Sequence, residues 1–92
     1  MASSSLDHKI AFVGGGQMAE ALVGGILSAK LCGPDRIRIA DPAAERRDHF
    51  KRKFGIQVGR SNLEVAAWGD VVVLAVKPQA LDGVLKEIGD EL

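Results

Sequence analysis

The chain has 92 residues, of which 47% are hydrophobic, so it fits one small domain with a packed core. Its 12 basic and 12 acidic residues cancel and 4% of the chain is aromatic, which disfavours nucleic-acid binding through a basic face. A single cysteine, Cys32, excludes an intramolecular disulfide, and no apolar run approaches the roughly 20 residues of a membrane span.

Residues 1–8 are predicted to be a flexible tail, because they contain neither the basic nor the apolar region of a signal peptide. Neither a nucleic acid nor a membrane is expected as a partner. A reducing, cytoplasmic setting follows as the default. Residues 9–92 are predicted to be the folded part.

The folded part opens with four apolar residues, Ile10–Val13, that run into three glycines and a helix-forming segment. Apolar β-formers without polar alternation predict a parallel strand that is buried on both faces. Ala, Leu, Met and Glu favour a helix from Gln17 to Leu31, in which Gly24 and Gly25 are predicted to allow close packing on the sheet. The predicted apolar stripe of this helix is Met18, Ala21, Leu22, Gly25, Ile26 and Ala29.

The glycines between this strand and helix have the pattern of a phosphate-binding turn. Gly14 allows a sharp turn, Gly16 lets the backbone approach a pyrophosphate, and the small Ala19 lets helix and strand pack closely. The helix N-terminus adds unpaired N–H groups and a partial positive charge. The strand before and the helix after make the motif more specific than its glycine spacing alone. The alternative is a glycine-rich turn that binds nothing.

Three further strand–helix pairs are predicted along the chain. The predicted strands are 36–40, 56–58 and 71–76. The predicted helices are 43–54, a short one that runs to residue 68, and 80–92. Asp41 is a candidate cap for the first of these helices, and Gly55 is predicted to end that helix. Ser61 or Asn62 is a candidate cap for the second helix. Ser61 with Glu64 fits a capping box.

This alternation predicts an α/β fold, a Rossmann-type parallel sheet of strand order 3-2-1-4 with helices on both faces. Strands 1 and 4 are then neighbours, and residues 14–18 meet residues 77–79 at the crevice between their carboxyl ends. A complete dinucleotide fold has two such halves, and strand 4 would be left as an apolar edge. The chain is therefore expected to be part of a longer polypeptide.

Two blocks of the sequence carry more specific patterns. Residues 14–21 read Gly-Gly-Gly-Gln-Met-Ala-Glu-Ala, and residues 70–79 read Asp-Val-Val-Val-Leu-Ala-Val-Lys-Pro-Gln. They resemble the G-x-G-x-M-A-E-A opening and the D-V-V-x-L-A-V-K-P-Q segment of Δ1-pyrroline-5-carboxylate reductase. The second block is the more specific, because a generic nucleotide fold does not need Lys-Pro-Gln after its fourth strand. The resemblance covers residues 9–92 and the N-terminal part of the enzyme.

The resemblance implies reduction of pyrroline-5-carboxylate to L-proline, in proline biosynthesis, by hydride transfer from NADPH or NADH. In that family a helical C-terminal domain supplies the substrate pocket and most dimer contacts. The full-length protein is then expected to be an NAD(P)H-dependent oxidoreductase and a homo-oligomer, and this chain alone is expected to be inactive. No residue of the chain is assigned as catalytic or as a metal ligand.

The resemblance also assigns cofactor contacts. Asp41 stands at the adenosine-ribose position, and Asn62 matches a cofactor-contacting asparagine after strand 3. The positions assigned to the pyrophosphate are Val13, Gly14, Gly15, Gly16, Gln17 and Met18. The positions assigned to the segment that passes the nicotinamide ribose are Ala75, Val76, Lys77 and Pro78.

The aspartate at position 41 differs from the small polar residue that many NADPH-dependent enzymes carry at this position. A carboxylate can hold a ribose 2′-OH but repels a 2′-phosphate. Asp41 therefore favours NADH over NADPH as the cofactor, although Arg46 and Arg47 could offset part of the repulsion. The alternative role of Asp41 is a plain helix cap. For the whole chain, the alternative is a non-catalytic NAD(P)-binding module or the cofactor domain of another β-hydroxyacid-type dehydrogenase.

Overall fold

The computed structural model describes residues 8–89, in which four parallel strands form one sheet of order β3-β2-β1-β4. The strands are β1 Ile10–Val13, β2 Ile37–Ala40, β3 Gln57–Gly59 and β4 Val71–Leu74. The helices are α1 Gln17–Ser28, α2 Ala44–Phe54, α3 Asn62–Trp68 and α4 Pro78–Ile88. The 3₁₀ turn Pro34–Arg36 precedes β2. The predicted fold class and strand order are confirmed.

Two predicted features fall at the ends of the chain. Residues 1–7 of the predicted tail lie outside the described residues. Residues 90–92, the last three of the predicted fourth helix, lie outside them as well.

β1 is the buried centre of the sheet, and its side chains alternate between two helical layers. Ile10 and Phe12 belong to the core cluster that includes residues of α1 and α2. Val13 belongs to the opposite cluster with Val84 and Ile88 of α4. Because Val13 pairs with both Ala40 and Leu74, the carboxyl ends of β1, β2 and β4 meet at one edge.

The buried face of α1 differs from the predicted stripe. Ala19 and Val23 are fully buried, whereas Met18 is 60% and Leu22 is 42% exposed. Of the predicted stripe, Ile26 does pack against the core. The prediction is wrong at the other positions because α1 carries apolar residues around most of its circumference, so their spacing does not single out one face.

The predicted carboxyl ends of α1 and β4 are also wrong, for reasons of backbone geometry. α1 ends at Ser28 rather than Leu31, because Lys30 adopts a left-handed φ of 57°. The Leu31 N–H then donates to the Ile26 carbonyl at 3.1 Å, which closes the helix in a Schellman-type turn. β4 ends at Leu74 rather than Val76, since its neighbour β1 ends where the glycine turn leaves the sheet.

The helix caps are partly as predicted. Ser61 Oγ accepts the Glu64 N–H at 3.1 Å, and Gly55 ends α2 with a left-handed φ of 71°, so both predictions are confirmed. Asp41 does not cap α2, whose N-cap is Ala43 without a side-chain hydrogen bond. α4 begins at Pro78 rather than residue 80, because proline fits the first helical position.

The glycines inside α1 do not allow closer packing on the sheet. A methyl group at Gly25 would meet no atom within 4 Å, and one at Gly24 would make an ordinary contact with Phe54 Cε1 at 3.6 Å. The close approach lies instead at Gly69, where a methyl group would lie 2.6 Å from Ala11 Cβ. The sequence prediction of a packing role for Gly24 and Gly25 is therefore wrong.

We expect Gly69→Ala to destabilise the protein and Gly25→Ala to stabilise it. The added methyl at Gly69 collides with Ala11, and overpacking of this kind costs about 1–3 kcal/mol. At the exposed Gly25, alanine gains up to about 1 kcal/mol of helix propensity. Urea unfolding of both variants measures the difference. Equal unfolding midpoints would contradict the packing seen at Gly69.

Candidate functional site

The turn after β1 and the segment after β4 meet at the carboxyl edge of the sheet. Ala75 N–H donates to the Val13 carbonyl at 2.8 Å, and Gly14 turns away from the sheet with a φ of 104°. A Cβ at Gly14 would lie 2.5 Å from the Ala75 carbonyl oxygen and 2.9 Å from Val76 Cγ1. Glycine is therefore required at this position by both its φ and the lack of space.

Two cavities open at this meeting point. One of about 260 Å³ is lined by residues 16–18 and 75–78. The other, of about 340 Å³, is lined by residues 14–16, 41, 75–77, 79 and 80. They share Gly16 and residues 75–77, so the turn after β1 and the segment after β4 form both walls of one crevice.

Ten of the twelve sequence-predicted contact positions line these cavities. Val13 does not, because its side chain is fully buried between the sheet and α4. Asn62 does not either, and its Nδ2 donates to Glu87 Oε1 of α4 at 2.9 Å. Gln79, which was predicted to lie at the crevice, and Ala80 line the larger cavity without having been assigned as cofactor contacts. The Lys-Pro-Gln pattern already contained the signal for Gln79.

Asp41 joins the turn after β1 to the turn after β2. Its Oδ2 accepts the Gly15 N–H at 2.8 Å, and its Oδ1 accepts the Ala43 N–H at 2.8 Å. Each carboxylate oxygen has two lone pairs, so further hydrogen bonds from a hydroxyl remain available. Because Asp41 also lines the larger cavity, it can both brace the glycine turn and bind a ligand hydroxyl.

The first N–H groups of α1 are free for an anion. In the described part of the chain, no hydrogen bond uses the N–H of Gly16, Gln17 or Met18. These three residues are exposed, and all three line the smaller cavity. Unpaired N–H groups and the positive end of the helix dipole favour phosphate or carboxylate at this place.

A group of ionisable side chains links α1 to α2 next to the glycine turn. Glu20 Oε2 lies 2.7 Å from Lys53 Nζ, and Glu20 Oε1 lies 3.2 Å from Arg46 Nη2 and 3.0 Å from His49 Nε2. The hydrogen bond from Lys53, helped by that from Arg46, lowers the pKa of Glu20 to about 2. Glu20 is therefore ionised at neutral pH.

A third cavity lies away from this crevice. It has a volume of about 500 Å³ and is lined by Leu27, Lys30 and residues 32–36, at the amino end of β2. Ligands of open parallel sheets bind at the carboxyl ends of the strands, so its position is unlike that of a cofactor site. Cys32 lines this cavity, and burial raises the pKa of its thiol.

Residues 8–89 also show neither a metal centre nor a membrane span. No group of three or more His, Cys, Asp or Glu side chains in this range could hold a metal ion. No helix of the same range is long and apolar enough to cross a bilayer.

Comparison with known proteins identifies relatives of the chain. Residues 9–92 match the model of a family described as NADP oxidoreductase, coenzyme F420-dependent. The pyrroline-5-carboxylate reductase of Pseudomonas aeruginosa is 45% identical over 84 residues, which are 91% of this chain and 30% of that protein. The chain likewise spans about 30% of a second curated relative, the pyrroline-5-carboxylate reductase of Synechocystis.

Two solved structures share the fold. A pyrroline-5-carboxylate reductase from Coxiella burnetii has a TM-score of 0.87 and 36% identity, over 92% of this chain and 31% of that one. The pyrroline carboxylate reductase of Plasmodium falciparum, solved with NADP bound, has a TM-score of 0.80 and 31% identity. That match covers 96% of this chain and 31% of the other.

The resemblance that the two sequence blocks predict is thus confirmed over the N-terminal part of these reductases. The family model matches nearly the whole chain, from residue 9 to residue 92. This chain belongs to the family of NADP oxidoreductases described as coenzyme F420-dependent.

Proposed function

We propose that this chain is the cofactor-binding portion of a reductase that converts Δ1-pyrroline-5-carboxylate to L-proline by hydride transfer from NADPH or NADH. One observation carries the cofactor part of the proposal. The unpaired N–H groups of residues 16–18 open into a cavity whose other wall is the segment 75–78. The names of the curated relatives and the NADP of the Plasmodium falciparum structure supply the chemistry.

The residues present fit a dinucleotide. A Cβ at Gly16 would meet no atom within 4 Å, so the turn is open where a diphosphate would approach the backbone. In the proposal, the N–H groups of Gly16, Gln17 and Met18 hold the diphosphate and Asp41 holds the adenosine ribose. Residues 75–78 lie beside the nicotinamide ribose. The cofactor supplies the hydride, and the chain binds and orients it.

Asp41 bears on the choice between the two cofactors. Its carboxylate favours a ribose 2′-OH over a 2′-phosphate. Neither neighbouring arginine is free of contacts: Arg46 Nε donates to the Gly15 carbonyl at 2.7 Å, and Arg47 Nη1 donates to the Asp41 carbonyl at 2.8 Å. Both arginines therefore brace the turns, and we propose that NADH binds at least as well as NADPH.

The rest of the reductase is proposed from the relatives. Since this chain spans about 30% of their length, the substrate pocket and the homo-oligomer contacts are assigned to a following helical domain. A cytoplasmic location and the absence of a nucleic-acid partner stay predictions. A non-catalytic NAD(P)-binding module would share the glycine turn, but the match to reductases extends through the Lys77-Pro78-Gln79 segment.

The Gly16→Val variant tests the cofactor site. The backbone of Gly16 is extended, with φ −86° and ψ −165°, so a side chain is compatible with the fold but fills the open turn. We expect the dissociation constants of NADH and NADPH to rise about tenfold or more, which is roughly 1.4 kcal/mol. Isothermal titration calorimetry measures them. Gly25→Ala, on the exposed face of the same helix, is the control with unchanged binding, and unchanged affinity of Gly16→Val would contradict the proposal.

The Asp41→Ser variant tests the cofactor preference. Removal of the carboxylate should shift the ratio of NADPH to NADH affinity towards NADPH by about tenfold, because the repulsion of a 2′-phosphate is lost. Any general loosening of the turn affects both cofactors and cancels in the ratio. Asp48→Ser removes the same charge from an exposed site on α2 and should leave the ratio unchanged. A ratio that stays at its original value in Asp41→Ser would rule out the ribose role.

A further inference from the structure

The central residue of the glycine turn is held on both sides by side chains. The Gly15 carbonyl accepts Arg46 Nε–H at 2.7 Å, and the Gly15 N–H donates to Asp41 Oδ2 at 2.8 Å. Gly15 is buried, and a Cβ there would lie 3.1 Å from Asp41 Oδ2 and 3.3 Å from Phe50 Cε2. Both polar groups of Gly15 thus make hydrogen bonds within the protein.

The contact from Arg46 determines where the next N–H points. The Gly15 carbonyl and the Gly16 N–H belong to one planar trans peptide, in which C=O and N–H point in opposite directions. Arg46 therefore aims the Gly16 N–H away from itself. A bond from a charged guanidinium also polarises the peptide and makes its N–H a stronger donor.

Arg46 is in turn held by Glu20. Its Nη2 lies 3.2 Å from Glu20 Oε1, and its guanidinium carbon lies 5.3 Å from the centre of the Phe50 ring. Lys53 Nζ, at 2.7 Å from Glu20 Oε2, fixes the same carboxylate from the other end of α2. Glu20 is in the first turn of α1, so the helix that presents the unpaired N–H groups also carries the group that orients Arg46.

We propose that Arg46 is a positioning residue for the diphosphate-binding peptide and that Glu20 sets the position of Arg46. This inference rests on the proposed dinucleotide function and adds two residues to it. Neither side chain touches the cofactor: Arg46 acts through the Gly15–Gly16 peptide, and Glu20 acts through Arg46. The ligand class that depends on this pair is the diphosphate ester.

Two simpler explanations make different predictions. If Arg46 only attracts the diphosphate as a positive charge, removal of the negative Glu20 should tighten binding, because a repulsive charge near the helix N-terminus is lost. If the pair only ties α1 to α2, its removal should change stability and leave affinity unchanged. Positioning predicts weaker binding when either residue is removed, so the sign of the Glu20 effect separates the three.

The test compares Arg46→Met and Glu20→Met with the unaltered protein. We expect the dissociation constant of NADH to rise about tenfold in Arg46→Met and severalfold in Glu20→Met, the scale of one charge-assisted hydrogen bond. Arg52→Met is the matched control, because Arg52 pairs with the exposed Asp48 on α2. It removes the same charge and should bind NADH normally. The amide chemical shift of Gly16 without ligand, read by NMR, should move in both test variants and not in the control.

The outcomes separate the inference from the proposed function. Failure of the unaltered protein to bind NADH and NADPH overturns both. Normal binding by the unaltered protein together with unchanged affinity in Arg46→Met, or with unchanged or tighter binding in Glu20→Met, overturns the inference alone. Arg46→Gln and Glu20→Gln carry the same expectations, with a smaller effect, if a methionine variant does not fold.

Discussion

The site depends on the close approach of the turn after β1 to the end of β4. Only 2.5 Å separates a Cβ built on Gly14 from the Ala75 carbonyl oxygen, so a side chain at Gly14 would push the two segments apart. Because residue 14 is a glycine, it can adopt a φ of 104°, and the chain turns directly from the sheet into α1. The N-terminus of α1 then lies beside residues 75–78, and the crevice between them follows from this contact.

Unpaired backbone N–H groups lie on one wall of the crevice, and the surrounding side chains hold that backbone in place. Asp41 links the turns after β1 and β2 through the N–H groups of Gly15 and Ala43. Arg46, which forms an ion pair with Glu20, donates a hydrogen bond to the Gly15 carbonyl. A diphosphate needs several N–H donors at fixed directions, and a glycine turn without such bonds would have to be ordered by the ligand at an entropic cost.

The sequence predicted those features that depend on local chemistry or on general topology rules. The strand order follows from the alternation of strands and helices, and the caps at Ser61 and Gly55 follow from residues a few positions apart. The crevice was predictable because parallel strands 1 and 4 had to be neighbours. Asp41 lines the larger cavity, and its hydrogen-bond partners are not those of a helix cap.

Features that depend on contacts between distant elements were not predictable. The face that α1 buries is set by packing against β1 and α2, and an all-round apolar helix gives no periodic signal for it. The end of β4 is set by the end of β1. The hydrogen bond from Arg46 to Gly15 joins residues 31 positions apart. The charged sequence of α2 by itself predicts only a solvent-exposed helix face.

A crystal structure of the protein in complex with NADP or NAD tests most directly the claim that this crevice binds the diphosphate. The claim predicts diphosphate oxygens within about 2.7–3.2 Å of the backbone nitrogens of Gly16, Gln17 and Met18, beside residues 75–78. A diphosphate bound elsewhere, for example in the cavity next to Cys32, would contradict it.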